Sequence, residues 1–186
     1  HLLRRNLPMI YIIEDNGVYG LTKGQFSATA DIGSKLKTGV INDLPAIDTC
    51  ALAIQLGATF VGRSFSGDKK QLLSMLKAAI AHKGTVMLDV ISPCVTFNNH
   101  AGITRSYDHV RAHNEAVGRI DFIDLAKEVI AEPAPDEVLE LPQADGSVMR
   151  LRKLHEGYDP SDRRAAMNLV QQLAEQGEIA TGLLYV

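Results

Sequence analysis

Three short apolar runs, at residues 9–13, 59–63 and 85–91, alternate with stretches that read as helices near 47–56 and 69–82. Runs of this length, rich in β-formers and bounded by turn residues, read as strands, and the continuous apolar run at 9–13 as one buried on both faces of a parallel sheet. Parallel neighbours need a crossover of a dozen or more residues, which an intervening helix provides. Gly57 stops the first helix, and Ser66-Gly67-Asp68 opens the second. The resulting order, β-loop-α-β-α-β, predicts an α/β fold with a mainly parallel sheet flanked by helices. Its crossovers are right-handed, and its ligands belong at the carboxyl ends of the strands.

The flanking segments read differently. His1-Leu2-Leu3-Arg4-Arg5-Asn6 resembles the last turn of a helix, with two arginines near the negative end of its dipole, closed by Pro8. With His rather than Met in first place, the expectation is a chain whose start is absent. Beyond Pro93 come a polar stretch at 98–104 and helices expected over 107–116 and near 122–130. Glu132-Pro133-Ala134-Pro135-Asp136 then reads as a boundary. It divides the chain into residues 1–131 and a small α+β carboxy-terminal extension, 132–186. In the extension, 138–141 and 148–151 flank a turn at 143–147 as a hairpin, and a last helix runs from about 160 to Gln176.

Hydrophobic residues make up 46% of the chain and charged residues 22%, values that exclude a disordered or fibrous polypeptide. The net charge of -3, without Lys/Arg blocks, leaves no electrostatic footprint for nucleic acid or anionic lipid. The longest apolar stretches fall far short of the roughly 20 residues of a membrane span. Two cysteines, Cys50 and Cys94, form no CxxC pair and no disulfide framework, as expected of a cytoplasmic protein.

The segment after the first strand carries the chemistry. From residue 16 to about 45 the chain is rich in Gly, Ser, Thr and Lys, a loop too long to be a mere connector. Within Asp15-Asn16-Gly17-Val18-Tyr19-Gly20-Leu21-Thr22-Lys23-Gly24, a carboxamide oxygen and a backbone carbonyl two residues later give two hard ligands for one Mg²⁺. The glycines let backbone approach an anion, and Thr22 and Lys23 donate to phosphate or carboxylate. On these residues alone, a plain turn with a solvated lysine is an equal alternative.

The longer run DNGVYGLTKGQFSAT closely resembles the thiamine-diphosphate loop of the β subunits of 2-oxoacid:ferredoxin oxidoreductases, particularly those acting on 2-oxoglutarate. GATFVGRSFSGD, DVISPCVTFNNH, SYDHVRAHNEAV, KLHEGYDPSDRRAAM and TGLLYV agree with that family in the same order, so the resemblance covers essentially the whole chain. It implies that Asn16 offers its side-chain oxygen and Val18 its carbonyl to Mg²⁺, with Tyr19, Gly20, Leu21 and Thr22 against thiamine diphosphate. Lys23 and His100 then become candidates to face the substrate. The implied reaction takes a 2-oxoacid, coenzyme A and oxidised ferredoxin to acyl-CoA, CO₂ and reduced ferredoxin, with an α subunit as partner.

Two departures qualify the resemblance. The family's Gly-Asp-Gly segment, which supplies a carboxylate to the magnesium, does not occur in this sequence. Cys94 matches one ligand of a [4Fe-4S] cluster whose other three cysteines are absent, so it is either a fourth ligand or an ordinary small core residue. Cys50 reads as core, and Arg105, Tyr107 and Arg111 as solvated helix charges or groups facing a substrate or partner. A non-catalytic remnant of the same fold, or a pyruvate- or indolepyruvate-type subunit, is the competing reading.

Overall fold

The computed structural model describes residues 1–19, 25–36, 38–124, 138–142, 147–153 and 158–186, with the backbone alone for those between 118 and 153. Its elements in chain order are β1 (Met9–Asp15), β2 (Val18–Tyr19), β3 (Gln25–Phe26), α1 (Thr49–Gln55), β4 (Phe60–Phe65), α2 (Lys69–Ala81) and β5 (Thr85–Ile91). They continue with α3 (Tyr107–His113), β6 (Asn114–Ala116), β7 (Gly118–Asp124), β8 (Val138–Pro142), β9 (Ser147–Lys153), α4 (Arg163–Glu175) and β10 (Ile179–Tyr185).

A five-stranded sheet runs in the order β1-β5-β4-β10-β6. β1, β5 and β4 are parallel, as the alternating pattern requires, whereas β10 lies antiparallel to β4 and parallel to β6. Helices α1, α2 and α4 each start on an aspartate that accepts hydrogen bonds from the first turn: Asp48 from the Ala51 amide, Asp68 from that of Gln71, and Asp162 from those of Arg164 and Ala165. Gly57, at φ +88°, ends α1 in the left-handed conformation that glycine adopts without strain.

Alternating residues divide the core between the two faces of the sheet. Val61, Met87, Ala180 and Leu184 pack against Ile54 of α1 and Leu169 and Leu173 of α4. Phe60, Leu88, Val90 and Leu183 pack against Met75, Ala78 and Ala79 of α2. β4 and β5 are therefore buried along their whole length.

β1 differs from the expectation of a strand buried on both faces. It is the edge strand, and Met9, Ile10, Tyr11 and Ile12 are each more than a third exposed, because α1, α4 and α2 lie over β4, β5 and β10 and stop short of it. Residues 3–5 form a single 3-10 turn rather than the end of an α-helix, closed by Asn6 at φ +47°. The helix expected over 107–116 stops at His113, and residues 114–116 pair with β10 as β6. Residues 122–124, expected in a helix, belong to β7, whose seven residues pair with β9. Residues 125–130 lie outside the described ones.

The expected hairpin strands are present, with Leu139 opposite Leu151 and Leu141 opposite Met149. Their connecting turn, 143–146, and the boundary at 132–136 lie outside the described residues. The last helix and strand return to the first segment: α4 packs on α1, and β10 sits between β4 and β6.

Candidate functional site

β1 delivers its last residue, Asp15, to the carboxyl edge of the sheet, where the chain turns sharply. Gly17 makes the turn at φ +65°, and its amide donates to Asp15 Oδ1 at 3.2 Å. Asn16 Oδ1 accepts the Val18 amide at 2.9 Å, an Asx turn that brings the Asn16 side chain onto the same bend as Val18. Asn98, buried and 82 positions away, donates Nδ2 to the Asn16 carbonyl at 2.8 Å. A Cβ on Gly17 would lie 2.7 Å from that same nitrogen, so any side chain there has to displace Asn98.

Asn98 reaches the turn because the chain folds back after β5. The amides of Phe97 and Asn98 both donate to the Cys94 carbonyl, at 3.2 and 2.8 Å, and the Ser92 amide donates to the Asp15 carbonyl at 2.9 Å. The two loops that leave the parallel edge are thereby joined. Between them opens a cleft of about 150 Å³ whose walls include Val18, Tyr19, Phe26, Lys35, Asn98 and His100. Four residues singled out in the sequence thus converge: Asn16 and Val18 on the bend, Tyr19 and His100 on the wall. Gly20, Leu21, Thr22 and Lys23 lie outside the described residues. Lys35, which sequence reasoning passed over, is the lysine on this wall among the described residues, and it enters through the isolated bridge between Lys35 and Ile41.

Arg105 overturns the reading of a solvated charge. It donates Nε to Asp15 Oδ2 at 3.3 Å and Nη1 to Asp31 Oδ1 at 2.9 Å, with 17% of its side chain exposed. Asp31 also accepts the Thr104 amide at 2.8 Å and the Thr104 hydroxyl at 2.6 Å, and Thr29 donates its hydroxyl to Asp15 Oδ1 at 2.5 Å. Both oxygens of Asp15 are therefore engaged within the protein.

A second charged group lies deeper, where α1 starts. Arg63 of β4 pairs with Asp89 of β5 at 2.9 Å and with Asp48 at 2.8 Å, and Thr49 donates to Asp89 at 2.7 Å. Burial works against the charge on both carboxyls, but with opposite outcomes. Asp89, 1% exposed and with Oδ1 unpartnered, is pushed above its ordinary value. Asp48, whose side chain is 32% exposed, is held below it by Arg63 and the α1 amides. Cys50 stands fully buried beside this pair, its thiol pushed well up by burial, an inert core residue as the sequence indicated.

The donor chemistry of the turn suits a hard cation. Asn16 Oδ1 keeps a second lone pair beyond its bond to Val18, and neutral amide oxygens are ligands that Mg²⁺ accepts. Among the described residues no cluster of three or more His, Cys, Asp or Glu converges on one point, and Asp15 is already committed, so no carboxylate of this group completes such a site. The residues do not suit an iron-sulfur cluster. Such clusters normally take four thiolates, the chain has two cysteines, and Cys50 is enclosed between α1 and β4 away from half-exposed Cys94.

The chain is similar to several known proteins. Residues 1–90 match the family described as thiamine pyrophosphate enzyme, C-terminal TPP binding domain. Over 99 residues, 52% of the chain, the sequence is 50% identical to a 2-oxoacid:ferredoxin oxidoreductase subunit beta from Sulfolobus, covering 32% of that protein. Over 100 residues it is 36% identical to the 2-oxoglutarate oxidoreductase subunit KorB of Mycobacterium tuberculosis, covering 27% of it. The matches span about a third of these relatives' length. The whole chain superposes on 49% of a chain of 2-oxoglutarate:ferredoxin oxidoreductase from Magnetococcus marinus, solved with 2-oxoglutarate, coenzyme A and succinyl-CoA, with TM-score 0.71 and 27% identity. Among the described residues no helix is long and apolar enough to cross a membrane.

Proposed function

We propose that this chain, which over about half its length is similar to β subunits of 2-oxoacid:ferredoxin oxidoreductases, forms the thiamine-diphosphate-binding segment of such a subunit, acting on 2-oxoglutarate. The carrying observation is the bend at Asn16-Gly17-Val18, which brings the Asn16 side chain and the Val18 backbone together at the carboxyl edge of a parallel sheet, beside a cleft. Asn16 would hold Mg²⁺ through its side-chain oxygen and Val18 through its main-chain carbonyl, and the ion would supply positive charge for a diphosphate. Tyr19, Gly20, Leu21 and Thr22 lie along the cofactor, while Lys23 and His100 face the carboxylates of the 2-oxoacid. Thiamine diphosphate supplies, when bound, the nucleophilic carbon for decarboxylation.

The residues of this chain would bind and orient, and exposed Tyr19 and His100 line the cleft beside the bend. The partners are an α subunit, ferredoxin, the 2-oxoacid and coenzyme A. Cys94 is one ligand to a [4Fe-4S] cluster only where three further thiolates join it. The two free cysteines fit a reducing cytoplasm. Residues 1–131 carry the cofactor site, and 132–186 follow as a carboxy-terminal extension.

Calorimetric titration of thiamine diphosphate with Mg²⁺ into the full-length subunit tests this reading. Saturable binding that is lost in Asn16→Ala supports it, and no binding marks a non-catalytic remnant of the fold. Turnover across a panel of 2-oxoacids fixes the substrate, and preference for pyruvate or indolepyruvate would replace 2-oxoglutarate.

A further inference from the structure

The bend that offers Asn16 and Val18 is not held by its own segment alone. Two further supports come from the loop between β5 and α3. The first is Asn98, whose Nδ2 fixes the plane of the Asn16–Gly17 peptide through the Asn16 carbonyl, 2.8 Å away. That peptide needs fixing, because glycine at its carboxyl side has access to both signs of φ and a rotated peptide would carry the Asn16 side chain off the bend. The second is Arg105, whose planar fork ties Asp15, the residue before the bend, to Asp31 on the loop leading toward α1. Asp31 is itself clamped by the Thr104 amide and hydroxyl, and Asp15 by Thr29 and Gly17. The result is a chain of hydrogen bonds that runs from Asp15 through Arg105 to Asp31 and Thr104, with the bend at its Asp15 end.

We propose that Asn98 and Arg105 are positioning residues for the oxygen pair of Asn16 and Val18, holding them at the spacing that a small, octahedral cation demands. Neither touches the cation. Each acts through a residue adjoining the pair or through the backbone of Asn16. The inference rests on the reading of Asn16 and Val18 as Mg²⁺ ligands. A positioning role separates from a merely structural one through the choice of ion. Mg²⁺ requires near-ideal octahedral geometry at short distances, whereas Ca²⁺ accepts longer and irregular coordination, so a loosened bend penalises Mg²⁺ selectively.

The experiment titrates Mg²⁺ and, separately, Ca²⁺ into the full-length subunit, assembled with its partner, in the presence of saturating thiamine diphosphate. Calorimetry or the near-ultraviolet dichroism of the bound cofactor is the readout. Asn98→Ala and Arg105→Gln are expected to weaken Mg²⁺ by about tenfold or more, the usual effect of losing an outer partner of a metal site, and Ca²⁺ by less than about threefold. Arg105→Lys, which keeps the charge but not the fork, is expected to fall between. Should Asn98→Ala fail to assemble, Asn98→Ser answers the same question with a smaller cavity and a shorter donor.

Equal losses for both ions would overturn the proposal in favour of a purely structural role. Unchanged Mg²⁺ affinity in the Asn98 and Arg105 variants, together with a large loss in Asn16→Ala, would refute the positioning role and leave the ligand reading standing. Unchanged affinity in Asn16→Ala as well would remove both.

Discussion

Gly17→Ala puts the geometry of the bend under direct test. Gly17 sits at φ +65°, where an L-residue with a Cβ costs about 1–2 kcal/mol, and alanine recovers about 0.4–1 kcal/mol by restricting the unfolded chain. Gly33, at φ +85°, carries the same backbone term, but a Cβ there meets nothing within 4 Å. Gly33→Ala should therefore cost about 1 kcal/mol or less. At Gly17 the new methyl would stand 2.7 Å from Asn98 Nδ2 and push it off the Asn16 carbonyl, leaving a partly buried donor and acceptor unpaired for about 1–3 kcal/mol more. The difference between the two variants, about 2 kcal/mol, corresponds to about 4–8 °C in midpoint for a chain of this size. Thermal unfolding of the two variants side by side, followed by circular dichroism, reads it. Equal losses of midpoint would show that Asn98 gives way freely and that the packing of the bend is not what requires glycine.

Other perturbations follow from the same geometry. Arg63→Met leaves Asp89 buried without its cation and should cost about 3–5 kcal/mol in urea unfolding, with Asp48 unable to compensate because it faces the same vacated position. Asp162→Ala removes the cap that accepts two amides at the start of α4 and should cost about 1 kcal/mol, read as a small drop in melting temperature without loss of fold. Burial holds His82 below its ordinary value of 6.5, and burial with His113 does the same for His109. Both bind fewer protons folded than unfolded, so their stabilisation is complete above pH 6.5 and declines as pH falls below it. Urea midpoints across pH 5–8 should show that decline, and His82→Asn should flatten part of it.

The sequence by itself determined the elements whose instructions are local. The apolar runs of β1, β4 and β5, the Ser66-Gly67-Asp68 opening of α2, and the glycine stop at Gly57 are each legible within a few residues, because strand period, capping and φ preference are properties of short segments. The Asp15-Asn16-Gly17 bend was legible for the same reason, and so was its place at the carboxyl edge. Gly118 and the alternation of Ile120 and Phe122 carried a strand signal for β7 that a helical reading overrode, and pairing with β9, some 30 positions later, decided it.

Tertiary structure alone decided the rest. No window of sequence shows that Asn98 meets Asn16, that Arg105 joins Asp15 to Asp31 rather than facing solvent, or that Lys35 enters the cleft wall. Nor does one show that β10 inserts beside β4 while β1 keeps its apolar side chains exposed at the edge. These are contacts between residues tens of positions apart, selected by how the helices cover the sheet and which loops that brings together. The pattern of side chains along a strand states which faces are apolar, and only the packed fold states what lies against them.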